Sequence, residues 1–279
     1  MRQFISDSEL DDSGCLTVSG KKFRHMVQVL RVAPGDMIHA RLPDGSIQPM
    51  TVAKINQAEK NLVLQCAGEI NRQDESLKGT SPNQASPQKI KPQIEMWLFQ
   101  FAAKPPKMDL IIRQATECGV SFIVPVRGEF CQSGPIESAE KKSSGSDLRW
   151  QRIITEAREQ SGSPVDTKVL PCVTLEKALD LWRHANEKSN GKAVVLYEQC
   201  EGTVTIHGAF ADNIGIEKTA VFVGAEGGIS PGEIEVMKNS GIHPVHFATN
   251  ILRCETAALY GLAAVQSTLM EKELWQFKG

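Results

Sequence analysis

Residues 219–239 constrain this chain more than any other stretch. The run TAVFV at 219–223 is apolar and rich in β-branched side chains, the pattern of a strand buried on both faces. It leads into Gly224, Gly227 and Gly228 and then into Ser230-Pro-Gly-Glu233. That tetrapeptide is a helix start, with Ser at the cap, Pro at the first helical position and Glu three residues past the cap. Strand, glycine loop and capped helix in direct succession place a crevice at the carboxyl end of a strand in an α/β sheet. A second passage of this kind follows, with PVHFA at 244–248 leading through NILRCETA at 250–257 into a long helix over 255–274. Three glycines within five residues need mean only a tight turn. Two such loops after consecutive strands point instead to a shared pocket. Neither GxGxxG nor GxxxxGK[ST] occurs, so nothing indicates a phosphate cradle.

The rest of the chain extends this reading. Strands fit residues 94–99, 122–126, 193–197, 220–223 and 245–248, and helices fit 107–118, 149–160, 233–239 and 255–274. Their alternation is that of an α/β domain. Within 149–160, Trp150, Ile153, Ile154 and Ala157 form an inward stripe and leave Arg149 and Arg152 toward solvent or a ligand. The Ser- and Gly-rich stretch 132–146 reads as a surface loop near the site. Residues 1–70 read as short β segments at 37–41, 47–55 and 62–66, broken by turns at Pro43-Asp-Gly45 and Glu59-Lys-Asn61, which suggests a small barrel or sandwich. One helix interrupts them around 21–30, where Phe23, Met26, Val27 and Leu30 share a face. Between the two regions, residues 71–92 are polar and rich in Ser, Pro and Gln, a linker by composition. The expected division is therefore 1–70, a linker at 71–92, and 93–279.

Net charge bounds the partners. At −2 the chain is no indiscriminate polyanion binder, so any RNA contact must use local patches. Residues 20–35 hold Lys21, Lys22, Arg24 and Arg31 with no acid, and in 141–158 five basic residues outnumber Asp147 and Glu156. Solvated faces are the plain alternative for both. Seven cysteines (Cys15, Cys66, Cys118, Cys131, Cys172, Cys200 and Cys254) without a CxxC spacing suggest reduced thiols in the cytosol, with neither a disulfide frame nor a metal site. The first dozen residues contain no long apolar run, so neither a signal peptide nor a membrane anchor is expected.

The motifs VGAEGGIS and NILRCETA resemble the GPEGG and ILRxETA signatures of the 16S ribosomal RNA uridine-N3 methyltransferases, a family of the SPOUT superfamily. Further stretches are similar in the same order: HMVQVLR at 25–31 with Gly35-Asp36, KMDLIIRQATECGV at 107–120, and RWQRIITEAREQS at 149–161. The resemblance implies a C-terminal SPOUT α/β domain with a deep trefoil knot, preceded by a small PUA-like β-barrel used to hold RNA. The candidate RNA contacts are Lys21, Lys22, Arg24 and Arg31 in the barrel region and Arg149 and Arg152 on the 149–160 helix. It implies S-adenosylmethionine as cofactor without a metal, 16S rRNA or the small ribosomal subunit as partner, and a homodimer in the cytoplasm.

Implied cofactor contacts are Leu196, Glu198, Phe222, Gly224, Gly227, Gly228, Phe247, Ala248, Ile251 and Leu252. By themselves Phe222, Phe247 and Leu252 fit core packing equally well. Methylation at N3 requires loss of the N3 proton from a base whose Watson–Crick edge is free. Arg253 is the candidate for stabilising charge on the uracil oxygens, and Glu226 the candidate proton acceptor. A structural pair between Arg253 and Glu226 or Glu255 is the alternative. Cys254 has no histidine fixed beside it by any motif, so a thiol nucleophile is not expected. The chain departs from the family at Ala225 (usually Pro), Ala248 (usually Gly), Phe130-Cys131 (usually Arg-Ser) and Gly162 (usually Arg). These departures leave open a different RNA acceptor, or a catalytically weak RNA-binding paralogue.

Overall fold

The computed structural model describes residues 3–67, 94–145, 147–211 and 215–274. The linker expected at 71–92 lies outside them. By its contacts the chain divides into two units, one of residues 1–89 with 159–162 and the other of residues 90–158 and 163–279.

The first unit holds a curled five-stranded sheet, a half-barrel. Its strands β1 (Gln3–Ile5), β2 (Cys15–Ser19), β3 (Met37–Arg41), β4 (Ile47–Asn56) and β5 (Asn61–Cys66) lie in the order β1-β3-β4-β5-β2. The register of β4 against β5 shifts between Val52 and Lys54, a bulge that bends the strand. Helix α1 (Gly20–Arg24) runs on into a π-helical turn, His25–Val29. This helical segment buries Phe23 and Met26 among Leu16, Val18, Met50 and Leu62, while Val27 and Leu30 pack at the edge of the same cluster.

The second unit alternates strands and helices: β6 (Glu95–Phe101), α2 (Pro105–Glu117), β7 (Phe122–Arg127), α3 (Ser133–Ser143), α4 (Arg149–Ser161), β8 (Lys168–Val169), β9 (Val173–Thr174), α5 (Leu175–Asn186), β10 (Gly191–Leu196), α6 (Ile206–Ala209), β11 (Lys218–Val223), α7 (Pro231–Asn239), β12 (His243–Val245) and α8 (Cys254–Leu274). The sheet order is β12-β10-β11-β6-β7-β8, β9 also pairs with β7, and every pairing is parallel. A parallel sheet needs both faces covered. Val221 and Val223 join a cluster with Ile111 and Ile112 of α2 and Leu262 and Val265 of α8. Phe222 between them turns to the opposite cluster, with Phe99, Trp97, Trp182 and Met237. From the edge strand β12 the chain returns through α8 to pack on α2 and β11. Among the described residues no helix is long and apolar enough to cross a membrane.

Three local expectations change. Residues 133–143, expected within a loop, form α3. Ala139 is buried and Ile136 packs against the core, and Arg127 pairs with Glu140 at 2.6 Å. Docking of these few side chains outweighs the poor intrinsic helix preference of the Ser and Gly residues. Strand β12 stops at Val245 rather than 248, because Thr249 N donates to Phe247 O at 2.7 Å and the Phe247 ring turns edge-on to Tyr260 at 4.9 Å. Helix α5 was not anticipated from the sequence. It buries Leu175, Ala178, Leu179 and Trp182, and its cap residue Thr174 accepts a hydrogen bond from Lys177 N.

Candidate active site

Strands β12, β10 and β11 are neighbours, and because they are parallel their following loops emerge at one edge of the sheet. These loops enclose a crevice of about 510 Å³. Leu196 ends β10 and Glu198 follows it, Gly224, Gly227 and Gly228 follow β11, and Phe247, Ile251 and Leu252 follow β12; all eight line it, with Glu226 and Arg253. Phe222 does not. It has no exposure and its ring stacks on Phe99 at 4.3 Å, since strand alternation turns it away from the face of Val221 and Val223. Ala248 is exposed and stands outside the lining.

The glycine loop is held from three sides. Gly228 N donates to Ala225 O at 3.1 Å in a turn where Gly228 takes a φ of +77°, open to glycine at little cost. A Cβ at Gly227 would lie 2.8 Å from Phe130 O, so the 128–131 turn rests directly on the loop. Behind it, Glu233 completes the capping box with Ser230 and also accepts from Glu129 N at 2.9 Å, which fastens that turn to α7. Below it, the buried Gln100 amide donates to the carbonyls of Phe101, Val223 and Gly224. Gln100 Oε1 is without a hydrogen-bond partner.

Arg253 makes neither of the structural pairs raised as its alternative. Glu226 and Glu255 both pair with Lys107, at 3.5 and 3.1 Å. Arg253 lines the crevice with no hydrogen bond or ion pair from its side chain to any described residue. Lys107 Nζ also lies 3.8 Å from Cys254 Sγ. Both contacts to Glu226 fall on Oε1, which takes Lys104 N at 3.2 Å and Lys107. Oε2 has no hydrogen-bond partner among the described residues.

Burial pushes the Cys254 thiol up to about 12, reinforced by its hydrogen bond to Glu255, so it carries no thiolate near neutral pH. For Glu255 burial works the other way from its bonds. Hydrogen bonds from its own backbone N–H, Lys107 and Cys254 outweigh burial and hold the carboxyl below its ordinary range. Burial likewise opposes the Lys107 charge, but Glu255 and the other anions raise its pKa overall. Sequence reasoning missed Lys107 as a site residue. Its signal was available: a cation in the first turn of a helix, where the dipole disfavours it, needs anions nearby.

The candidate RNA contacts divide. Lys21, Arg24, Arg31 and Arg152 are exposed. Lys22 is occupied by Asp7 at 2.7 Å and Ile5 O at 2.8 Å and lies over the Phe4 ring. Arg149 donates from Nε to Asp109 at 2.7 Å, and Asp109 also takes Trp150 Nε1 and Lys142. Arg158 pairs with Asp166 at 2.6 Å. Much of the positive charge at 141–158 is thus neutralised within the fold. Among the described residues no cluster of three or more His, Cys, Asp or Glu could hold a metal.

Fold and site together define a parallel α/β protein with a largely apolar crevice, main-chain groups of three loops for a small ligand, and Glu198, Glu226, Lys107 and Arg253 as the charged residues of its lining. A family model described as RNA methyltransferase domain matches residues 90–266, and the chain belongs to that family. The ribosomal RNA small subunit methyltransferase E 2 of Borreliella burgdorferi is 26% identical over 280 residues, covering 96% of this chain and 98% of the relative. The ribosomal RNA small subunit methyltransferase E of Bacillus subtilis is 22% identical, covering 94% of this chain and 93% of that protein. The crystal structure of the methyltransferase E of Neisseria gonorrhoeae bound to S-adenosyl methionine superposes with a TM-score of 0.70 at 24% identity, covering 96% and 97% of the two chains.

Proposed function

We propose that this protein transfers a methyl group from S-adenosylmethionine to N3 of a uridine in small-subunit ribosomal RNA. The observation that carries the reading is the pair of unpartnered groups lining one crevice, Glu226 Oε2 and the Arg253 guanidinium. The crevice suits the cofactor. Its volume of about 510 Å³ is in the range of small-molecule sites, and Leu196, Phe247, Ile251 and Leu252 offer apolar walls beside the main chain of the glycine loop.

When bound, S-adenosylmethionine supplies a methyl group on a sulfonium. Glu226 Oε2 takes the N3 proton, and Arg253 stabilises charge developing on the flanking uracil oxygens. Both loops spring from one sheet, so reacting atoms are held at short range, which lowers the barrier further. Lys21, Arg24, Arg31 and Arg152 supply RNA contacts within their own units, and Arg149 adds an aimed guanidinium held by Asp109. The division into a PUA-like domain over 1–70 and a SPOUT domain over 93–279, its trefoil knot, a cytoplasmic site of action and a homodimer belong to the same reading.

A second reading keeps the cofactor and changes the RNA acceptor. It is favoured by Phe130, 46% exposed, at a position where the resembling family carries arginine. One experiment separates them. The protein is incubated with labelled S-adenosylmethionine and small ribosomal subunits lacking the modification, and the nucleosides are identified by mass spectrometry. Labelled 3-methyluridine supports the first reading, another methylated nucleoside supports the second, and no transfer overturns both.

A further inference from the structure

Lys107 has a position that packing alone does not account for. Its ammonium sits in the first turn of α2, against the helix dipole, where no acidic residue of that turn compensates it. It reaches instead to two loops far apart in sequence: Glu226 on the glycine loop after β11, and Glu255 where the loop after β12 enters α8. Glu226 lines the crevice together with Lys107, whose side chain is 26% exposed, and Glu255 stands against two of the lining residues, Lys107 and Cys254. The two pairs are unequal. Glu255 is the nearer partner, is less exposed, and presents the same Oε2 to Cys254 Sγ at 3.3 Å. Glu226 is the farther and more exposed partner, and only its Oε1 is engaged.

We propose, on the basis of the methyl-transfer reading above, that Lys107 is a positioning residue: it locks the two crevice loops together through Glu226 and Glu255, and leaves Glu226 Oε2 as the oxygen that accepts the uridine N3 proton. The balance is simple. The N3–H bond breaks and its proton goes to Glu226 Oε2. The N3 electron pair forms the new bond to the methyl carbon, and the electrons of the broken S–C bond return to sulfur. Lys107 neither gains nor loses a proton. Its charge offsets the repulsion between the two carboxylates it joins. Glu226 is also faced by the Cys254 thiol from α8 and the Cys131 thiol from the 128–131 turn. Arg253 and Glu198 line the same crevice, and Glu233 stands near Cys131.

The test uses the full-length protein, S-adenosylmethionine and unmodified small ribosomal subunits, with three variants and two readouts. Amide hydrogen exchange at 224–228 and 249–253 reports the lock without any reaction. Single-turnover transfer at saturating S-adenosylmethionine reports the placement of the proton acceptor. Lys107→Met should lose exchange protection in both loops together. It should also slow transfer by about 100-fold, in the range of a misplaced general base. Lys107→Arg should restore both. Glu255→Gln releases only the loop after β12 and should lower protection at 249–253 while sparing 224–228. A Lys107→Met protein with wild-type protection, or with wild-type transfer, overturns the proposal. Should that variant fail to fold, a Glu255→Gln protein with wild-type protection at 249–253 overturns it instead. If the wild-type protein forms no 3-methyluridine, the reaction reading fails while the exchange measurement continues to test the lock.

Discussion

The side-chain amide of Gln100 donates to the carbonyl of Gly224 at 3.1 Å, joining the end of β6 to the first residue of the glycine loop. The same nitrogen serves Val223 O and Phe101 O. A buried residue that spends its amide on three carbonyls fixes where those carbonyls point, and two of them, of Val223 and Gly224, belong to residues that line the crevice. Gln100→Leu keeps the volume but leaves buried acceptors unpaired. The expected cost is about 2 kcal/mol of stability, measured by urea unfolding, together with weaker S-adenosylmethionine binding by calorimetry. Unchanged binding would show that the Gly224 carbonyl needs no such support.

Gly227 sets the distance between two loops. Gly227→Ala would bring a Cβ to 2.8 Å from Phe130 O and 2.9 Å from Phe130 Cβ, closer than carbon atoms tolerate. Because the neighbour is main chain, the loop itself must move. We expect stability to fall by about 1–3 kcal/mol and cofactor affinity to fall with it, whereas alanine at the exposed Gly134, with open space around it, should change neither.

Arg253 offers a cleaner separation of binding from chemistry. Since no described residue pairs with its guanidinium, Arg253→Ala breaks no internal contact of that side chain and should leave the melting temperature near wild type. Transfer should fall by about 10²–10³-fold, the effect of removing one donor from developing negative charge. Calorimetry with S-adenosylmethionine and single-turnover transfer on the same preparation check both halves. A variant that binds poorly but reacts at the normal rate when saturated would move Arg253 from the reaction to cofactor binding.

Asp109 predicts a pH signature in stability. Burial penalises its charge, but the bonds from Arg149 and Trp150 with the Lys142 cation prevail and hold the carboxyl below its ordinary value of 3.8. A depressed carboxyl contributes stability above the unfolded value and loses it as pH falls through the folded one. Asp109→Asn should therefore cost about 2 kcal/mol near neutral pH. The difference from wild type should shrink below 3.8. Urea unfolding at the two pH values tests the sign.

The sheet was legible because its signals are local. TAVFV has one polar side chain, Thr219, which is buried and donates to Lys192 O rather than facing water, and Ser230-Pro-Gly-Glu233 forms the capping box its spelling implies. The crevice loops could be read because glycine marks where backbone must pass close to something else. Phe222 was misassigned because an apolar residue before a glycine loop can face either cluster, and only the strand's alternation decides which. Helix α3 was hidden for another reason. Its Ser and Gly residues carry no helical signal, and the buried contacts of Ile136 and Ala139 that hold it are long-range. Lys107 carried one local sign, a cation in the first turn of a helix, but the anions that answer it come from two distant segments that no spacing in the chain records.

The groups gathered at the crevice have one further consequence. Glu198 and Glu226 are two carboxylates and Lys107 and Arg253 two cations of its lining, so the wall is balanced before any ligand enters. Methyl transfer would discharge the sulfonium and leave the N3 proton on Glu226, so the reaction moves one positive charge from the ligand to the wall. The wall must pass that proton to water before it can serve a second methyl group.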